Sequence, residues 1–227
     1  MGGSNKSYRI QFAENFIWRG WLSKEDFDAL REMLHTYRTI TLHALNIDLL
    51  DLWDAQWNWF ANDCDQQIWI KDHNFFGEIV LGLAPGSTQV LFLSIKSLSF
   101  SSVQFQDASL EISHALDISR LQHLNLRNCH HTWPLFRKIV ESAKPLNLRS
   151  LELVIPHHSD DSYAKEVDKD WIEPFLSSFE DLNSLNLLVL NEEGPKTISR
   201  YWPSIFHHQE TLARLVYHEI HTKFWVD

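Results

Sequence analysis

At 227 residues and 44% hydrophobic content, the chain is long enough for one large domain or two small ones and too apolar to be disordered throughout. Twenty Lys+Arg against thirty Asp+Glu leave a formal net charge of −10 with no basic run, which argues against nucleic acid as a partner, because phosphate binders cluster positive charge to displace counterions. Two cysteines, Cys64 and Cys129, are too few for a disulfide framework, the opening MGGSNKSYRIQF lacks a secretory pattern, and apolar runs such as 79–84 fall far short of the roughly 18 residues of a membrane span; the expectation is an intracellular chain, cytoplasmic or nuclear, with no membrane partner.

Residues 1–7 read as a disordered N-terminus and 8–227 as one domain. A strand RIQF (9–12) opens it. SKEDFDALREMLHTY (23–37) is a helix: Ser23 caps it, acidic residues fill its first turn, and Phe27, Leu30, Met33 and Leu34 form an apolar stripe. A spaced row of apolar residues follows at Leu42, Leu45, Ile47 and Leu50. The same spacing recurs at Ile95, Leu98, Phe100 and Val103; at Leu121, Leu124, Leu126 and Cys129; at Leu148, Leu151 and Leu153; at Leu182, Leu185, Leu187 and Leu190; and at Leu212, Leu215, Tyr217 and Ile220. In each row the alternating pair, such as Leu124 and Leu126, points from a short strand into a core. Leu98, Leu124, Leu151, Leu185 and Leu215 lie 26, 27, 34 and 30 residues apart. Because 53 residues separate Leu45 from Leu98, an insertion or a degenerate repeat lies between them.

Helices are expected between the rows. WPLFRKIVESA (133–143) has a proline suited to a first turn and a stripe of Phe136, Ile139 and Val140, and WIEPFLSSF (171–179) and WPSIF (202–206) echo it. Strand, turn and helix cannot bury their apolar faces alone, but stacked neighbours can. The fold class that follows is α/β: a leucine-rich-repeat solenoid, a curved horseshoe-like array with parallel strands concave and helices convex, built of irregular repeats of about 26–34 residues. The chain stops at HTKFWVD just after a strand, so the last repeat is expected to fray.

The segments FIWRGWLSKEDFDALREML, FFGEIVLGLAPGSTQVLFLSIKSLSFSSVQF, ISRLQHLNLRNC, LNLRSLELVI and FLSSFEDLNSLNLL resemble the leucine-rich-repeat portion of fungal F-box proteins, over about residues 12–220. The resemblance implies a substrate receptor of an SCF-type ubiquitin ligase, in which an F-box grips the Skp adaptor and the repeats bind the protein to be marked. It therefore implies a binding module without catalytic activity. The chain departs from that pattern in having no Leu-Pro pair and no proline before Pro85, so the F-box itself is not found and a Skp adaptor is not expected to bind this chain alone. A truncated relative without retained function is a further alternative.

The expected partner surface is the concave strand face. Alternation places His123, Asn125 and Arg127 there in one row, Ser150, Glu152 and Val154 in the next, then Ser184, Asn186 and Leu188, then Arg214, Val216 and His218, with Ser97, Ser99 and Ser101 ahead of them. Solenoids commonly bind a protein on this surface. The alternative function is a small-ligand binder, for carbohydrate or metal. The Trp-rich insertion near 51–70 holds Trp53, Trp57, Trp59 and Trp69 among Asp and Asn, suited to stacking on sugar rings, although cover for an apolar core explains it more simply. His130 and His131 fall at the same phase as His157 and His158, with Asp160, Asp161 and Cys129 nearby; solvated loop histidines are expected, and zinc is the alternative. His218-Glu219-Ile220-His221 is not the helical zinc signature, and His207 and His208 have no matching phase. Trp133, Trp171 and Trp202 recur at helix starts as packing residues. No nucleophile-elbow, dinucleotide or phosphate-loop motif occurs, so no catalytic residue, metal or other cofactor is expected.

Overall fold

Successive strands lie side by side in chain order in the computed structural model, which describes residues 7–11, 15–19, 24–37, 42–48, 77, 81–101, 103, 105, 109–129, 132–142, 145–155, 171–191 and 198–221. The strands are β1 (Ser7–Gln11), β2 (Asn15–Arg19), β3 (Ala44–Asp48), β4 (Ser97–Ser101), β5 (His123–Arg127), β6 (Ser150–Ile155), β7 (Ser184–Asn191) and β8 (Arg214–His221). β1 pairs antiparallel with β2, and β2 to β8 form one parallel sheet. The helices among the described residues are α1 (Lys24–Tyr37), α2 (Ser109–Ala115), α3 (Trp133–Glu141), α4 (Ile172–Leu176) and α5 (Ile198–Phe206). This is an α/β architecture compatible with a solenoid-like fold.

The period-2 alternation of strands accounts for the core. Leu45, Leu98, Leu124, Leu151, Leu185 and Leu215 are register partners across β3 to β8, and Ile47, Phe100, Leu126, Leu153, Leu187 and Tyr217 form a second row. From β3 to β7 every member of both rows is buried, and they join Leu30 and Leu34 of α1, Phe136 of α3 and Phe175 of α4 in one cluster. The rows expected from spacing therefore stack, with Leu124 directly opposite Leu151. Leu215 departs from expectation: it occupies the inward row but is 40% exposed, because among the described strands β8 has a neighbour on one side only.

Backbone hydrogen bonding repeats with the rows. The carbonyl of His43 accepts the N–H groups of both Lys96 and Ser97 at 2.8 and 3.0 Å. Lys96 does the same for Gln122 and His123, Gln122 for Arg149 and Ser150, Arg149 for Asn183 and Ser184, and Asn183 for Ala213 and Arg214. Each strand from β4 to β8 thus starts on the carbonyl that precedes the strand before it, which satisfies two donors at a point where the chain turns into the sheet.

The helical side is held by aromatic packing. Phe136 of α3 stacks on Trp171 at 4.2 Å between ring centres and 3° between planes, and it meets Phe175 edge-on at 4.3 Å. Phe175 contacts Phe179, which contacts His208, so rings run continuously from α3 past α4 to the turn after α5. Trp171 is buried, and Trp133 and Trp202 pack half-buried against the core, in keeping with a packing role. Buried Cys129 directs its Sγ at the carbonyls of Phe100 and Arg127, 3.4 Å from each.

Several expectations are corrected. β1 begins at Ser7 and ends at Gln11 rather than spanning 9–12, and β2 and α2 were not foreseen. α4 is confined to five residues, whereas α5 starts four residues before Trp202 and carries Pro203 inside it. Leu45 and Leu98 are direct register partners, so β3 and β4 are neighbours in the sheet although 53 residues separate the two leucines. The Trp-rich stretch 51–70 lies outside the described residues. No helix among the described residues is long and apolar enough to cross a membrane.

Leu151 is 1% exposed at the middle of the stack. Leu151→Ala is expected to cost about 2–5 kcal/mol in a urea titration through the cavity it leaves. The same truncation at half-exposed Leu215 should cost distinctly less, because water already reaches that site.

Candidate functional site

The outward positions of the parallel strands form three rows. The first is Asn15, Ala44, Ser97, His123, Ser150, Ser184 and Arg214; the second Ile17, Asn46, Ser99, Asn125, Glu152, Asn186 and Val216; the third Arg19, Asp48, Ser101, Arg127, Val154, Leu188 and His218. The register brings together on one face all twelve residues expected there: His123, Asn125, Arg127, Ser150, Glu152, Val154, Ser184, Asn186, Leu188, Arg214, Val216 and His218. None of these belongs to the buried core, and among the described residues the helices pack on the opposite side. Arg19, Asp48, Ile17, Asn46 and Ala44 extend the same face onto β2 and β3. Reading the face from β4 onward missed them, although the row at Leu45 and Ile47 implies the outward positions of β3 and the alternation of Phe16 and Trp18 implies those of β2.

Among the described residues, two ion pairs cross between strands. Arg19 Nε lies 3.2 Å from Asp48 Oδ2 on the neighbouring strand. Arg127 donates two hydrogen bonds to Glu152, Nε to Oε1 at 2.8 Å and Nη2 to Oε2 at 3.0 Å. This fork geometry suits a guanidinium and carboxylate and fixes both side chains. The hydrogen bond Arg127 donates to Glu152 is the largest influence raising the Arg127 pKa; burial opposes it, and the charges of Glu152 and Asp48 add to it. Charge therefore alternates from β2 to β6 as Arg19, Asp48, Arg127 and Glu152. Beside it, Asn125 Oδ1 is shielded from solvent without a hydrogen-bond donor.

The face changes character toward β8. On β4 and β5 it is made of serines, His123, Asn125 and Arg127, whereas Val154 and Leu188 are direct partners and Val216 is 39% exposed. An apolar patch thus adjoins the Arg127–Glu152 fork.

His130, His131, His157 and His158, with Asp160 and Asp161, lie outside the described residues. No group of three or more His, Cys, Asp or Glu suited to a metal occurs among the described residues. His218 and His221 lie on β8, a strand rather than a helix. His208 is 2% exposed, a placement the sequence did not reveal, since its burial depends on the turn after α5 folding back toward α4. Its Nε2 donates to the Leu176 carbonyl at 2.9 Å, and Nδ1 has no partner. Against known proteins, no family model, no curated protein and no solved structure matches this chain.

The exposed half of the Arg127–Glu152 pair limits its energetic contribution, with Arg127 at 55% side-chain exposure. A double-mutant cycle with Arg127→Ala and Glu152→Ala is expected to return a coupling of about 0.2–1 kcal/mol. The fork would then serve to set side-chain position rather than to hold the fold.

Burial is the main cause lowering the His208 pKa, partly offset by the Leu176 hydrogen bond. The folded state thus favours neutral imidazole, while the unfolded chain takes up a proton near pH 6.5. Stability from this residue is present above that pH and is lost as pH falls through it toward the lower folded-state value. Melting curves from pH 7.5 to 5 should show this decline, and His208→Gln, which retains a donor for Leu176, should flatten it.

Proposed function

We propose that this chain is a protein-recognition module of the leucine-rich-repeat type, resembling the substrate-binding repeats of F-box ubiquitin-ligase receptors. It binds a protein partner on the outward sheet face. The observation that carries this reading is the open face itself: three residue rows across β2 to β8, with no described element covering them. A face of fixed backbone and short side chains loses little conformational freedom on binding. Val154, Leu188 and Val216 supply apolar contact, and the Arg127–Glu152 fork beside them supplies orientation, the arrangement of an apolar centre with a polar border. The reading assigns no chemistry to the chain, and in a ligase it would supply specificity only.

Photo-crosslinker placed at Ser99 or Asn186 is expected to yield discrete protein adducts in cell extract, whereas crosslinker at Arg137 on α3 should not. Val154→Arg with Leu188→Arg should abolish those adducts while leaving the melting temperature within a few degrees. Adducts independent of the face, or surviving both arginines, would refute the reading. The chain alone should not retain a purified Skp adaptor; retention that survives the double arginine variant would place a second binding function elsewhere in the chain.

A further inference from the structure

A cleft of about 850 Å³ runs along the edge of the sheet where the strands begin, away from the three outward rows. Its floor is the column of residues that precede β4, β5, β6 and β7: Lys96, Gln122, Arg149 and Asn183. The carbonyl ladder holds this column at sheet spacing, since each of these residues accepts two N–H groups from the next strand. Their backbones are therefore rigid, and only their side chains are available to a ligand.

The cleft is bipolar. Lys96, Arg120 and Arg149 cluster over β4 to β6, in a chain whose net charge is −10. Lys96 and Arg149 are exposed, and neither makes a side-chain hydrogen bond or ion pair among the described residues. Arg120 is held in place by Asp117 at 3.2 Å and by the Leu93 carbonyl at 3.2 Å, which directs a third cation at the same edge. At the β7 end the sign reverses at Glu180 and Asp181.

We propose that this edge binds an extended acidic peptide segment, with its carboxylates over Lys96, Arg120 and Arg149 and a basic residue over Glu180 and Asp181. Three strand spacings from β4 to β7 amount to about 14 Å, the length of roughly four or five extended residues. Alternate side chains of such a segment point the same way about 7 Å apart, so two or three acidic residues reach the cations while those between face solvent. The amide of Gln122 lies between the cations, able to donate to a peptide carbonyl, whereas the Asn183 amide beyond them already donates to the Thr211 carbonyl at 3.1 Å. A nucleic acid fits less well, because its phosphates continue in both directions and would meet Glu180 and Asp181 on a strongly acidic protein. The site is separate from the outward face and does not depend on the function proposed for it.

The experiment uses the full chain and a fluorescein-labelled peptide, Glu-Asp-Glu-Asp-Gly-Lys, in low salt. Saturable binding is expected, weakening as salt is raised. Lys96→Glu with Arg149→Glu should weaken it about tenfold or more, since each reversal replaces an attraction by a repulsion. Val154→Arg with Leu188→Arg on the outward face should leave it unchanged. Glu180→Lys should tighten binding of an all-acidic hexapeptide, a gain that partial unfolding cannot produce. The proposal is overturned by absence of saturable binding, by affinity indifferent to the charge reversals, or by an oligothymidine of equal length binding as tightly as the peptide.

Discussion

A single backbone arrangement governs the repeating part of the molecule: the carbonyl before each strand from β3 to β7 takes two N–H groups from the start of the next. It recurs at His43, Lys96, Gln122, Arg149 and Asn183. A slip of one residue at any of these points would turn that strand's leucines outward and its polar residues into the core. Register is thus fixed twice, by hydrogen bonding at the strand start and by apolar burial along it. Since the outward rows are whatever the inward rows leave over, the placement of Asn125, Glu152 and Val154 follows from the burial of Leu124, Leu126, Leu151 and Leu153.

The helical side tolerates what the sheet does not. From Leu151 to Leu185 the chain takes 34 residues, against 26 from Leu98 to Leu124, yet the two strand pairs share one register pattern. Only the segment between strands absorbs the difference. α4 is five residues long and could bury little by helix propensity alone. It is secured instead by Trp171, Phe175 and Phe179, whose large rings fill space against α3 and the turn at His208 without demanding a long helix.

The strand rows were legible because two apolar residues flanking one polar residue, repeated at similar intervals, have one economical placement. The elements that were missed lack that repetition. β2 carries Phe16 and Trp18 in alternation, but aromatic residues just before a helix read equally well as its packing, and the antiparallel β1 pairing has no counterpart among the other described strands. α2 offers only Ile112 and Ala115 as apolar anchors among its described side chains, too few to set a helical period. The outward face was legible by subtraction from the rows. The cation edge was not, because Lys96, Arg120 and Arg149 are scattered singly through the sequence and converge only when β4, β5 and β6 are laid side by side.

The two ends of the sheet differ for a related reason. At the start, β1 pairs with β2, so the inward residues Phe16 and Trp18 lie on a strand flanked on both sides and are 3% and 2% exposed. At the far end, β8 pairs with β7 alone; Leu215 continues the buried row yet is 40% exposed, and nearby Phe206 is 59% exposed. The contrast shows that burial in this architecture comes from neighbours rather than from the residue type: the same leucine position is fully inside at β7 and half outside one strand later. Stability therefore accumulates strand by strand, and it is greatest where a row has partners on both sides. The outward face draws on that gradient, since its charged fork lies on β5 and β6, in the well-packed middle, while its apolar patch extends toward the less supported edge at Val216.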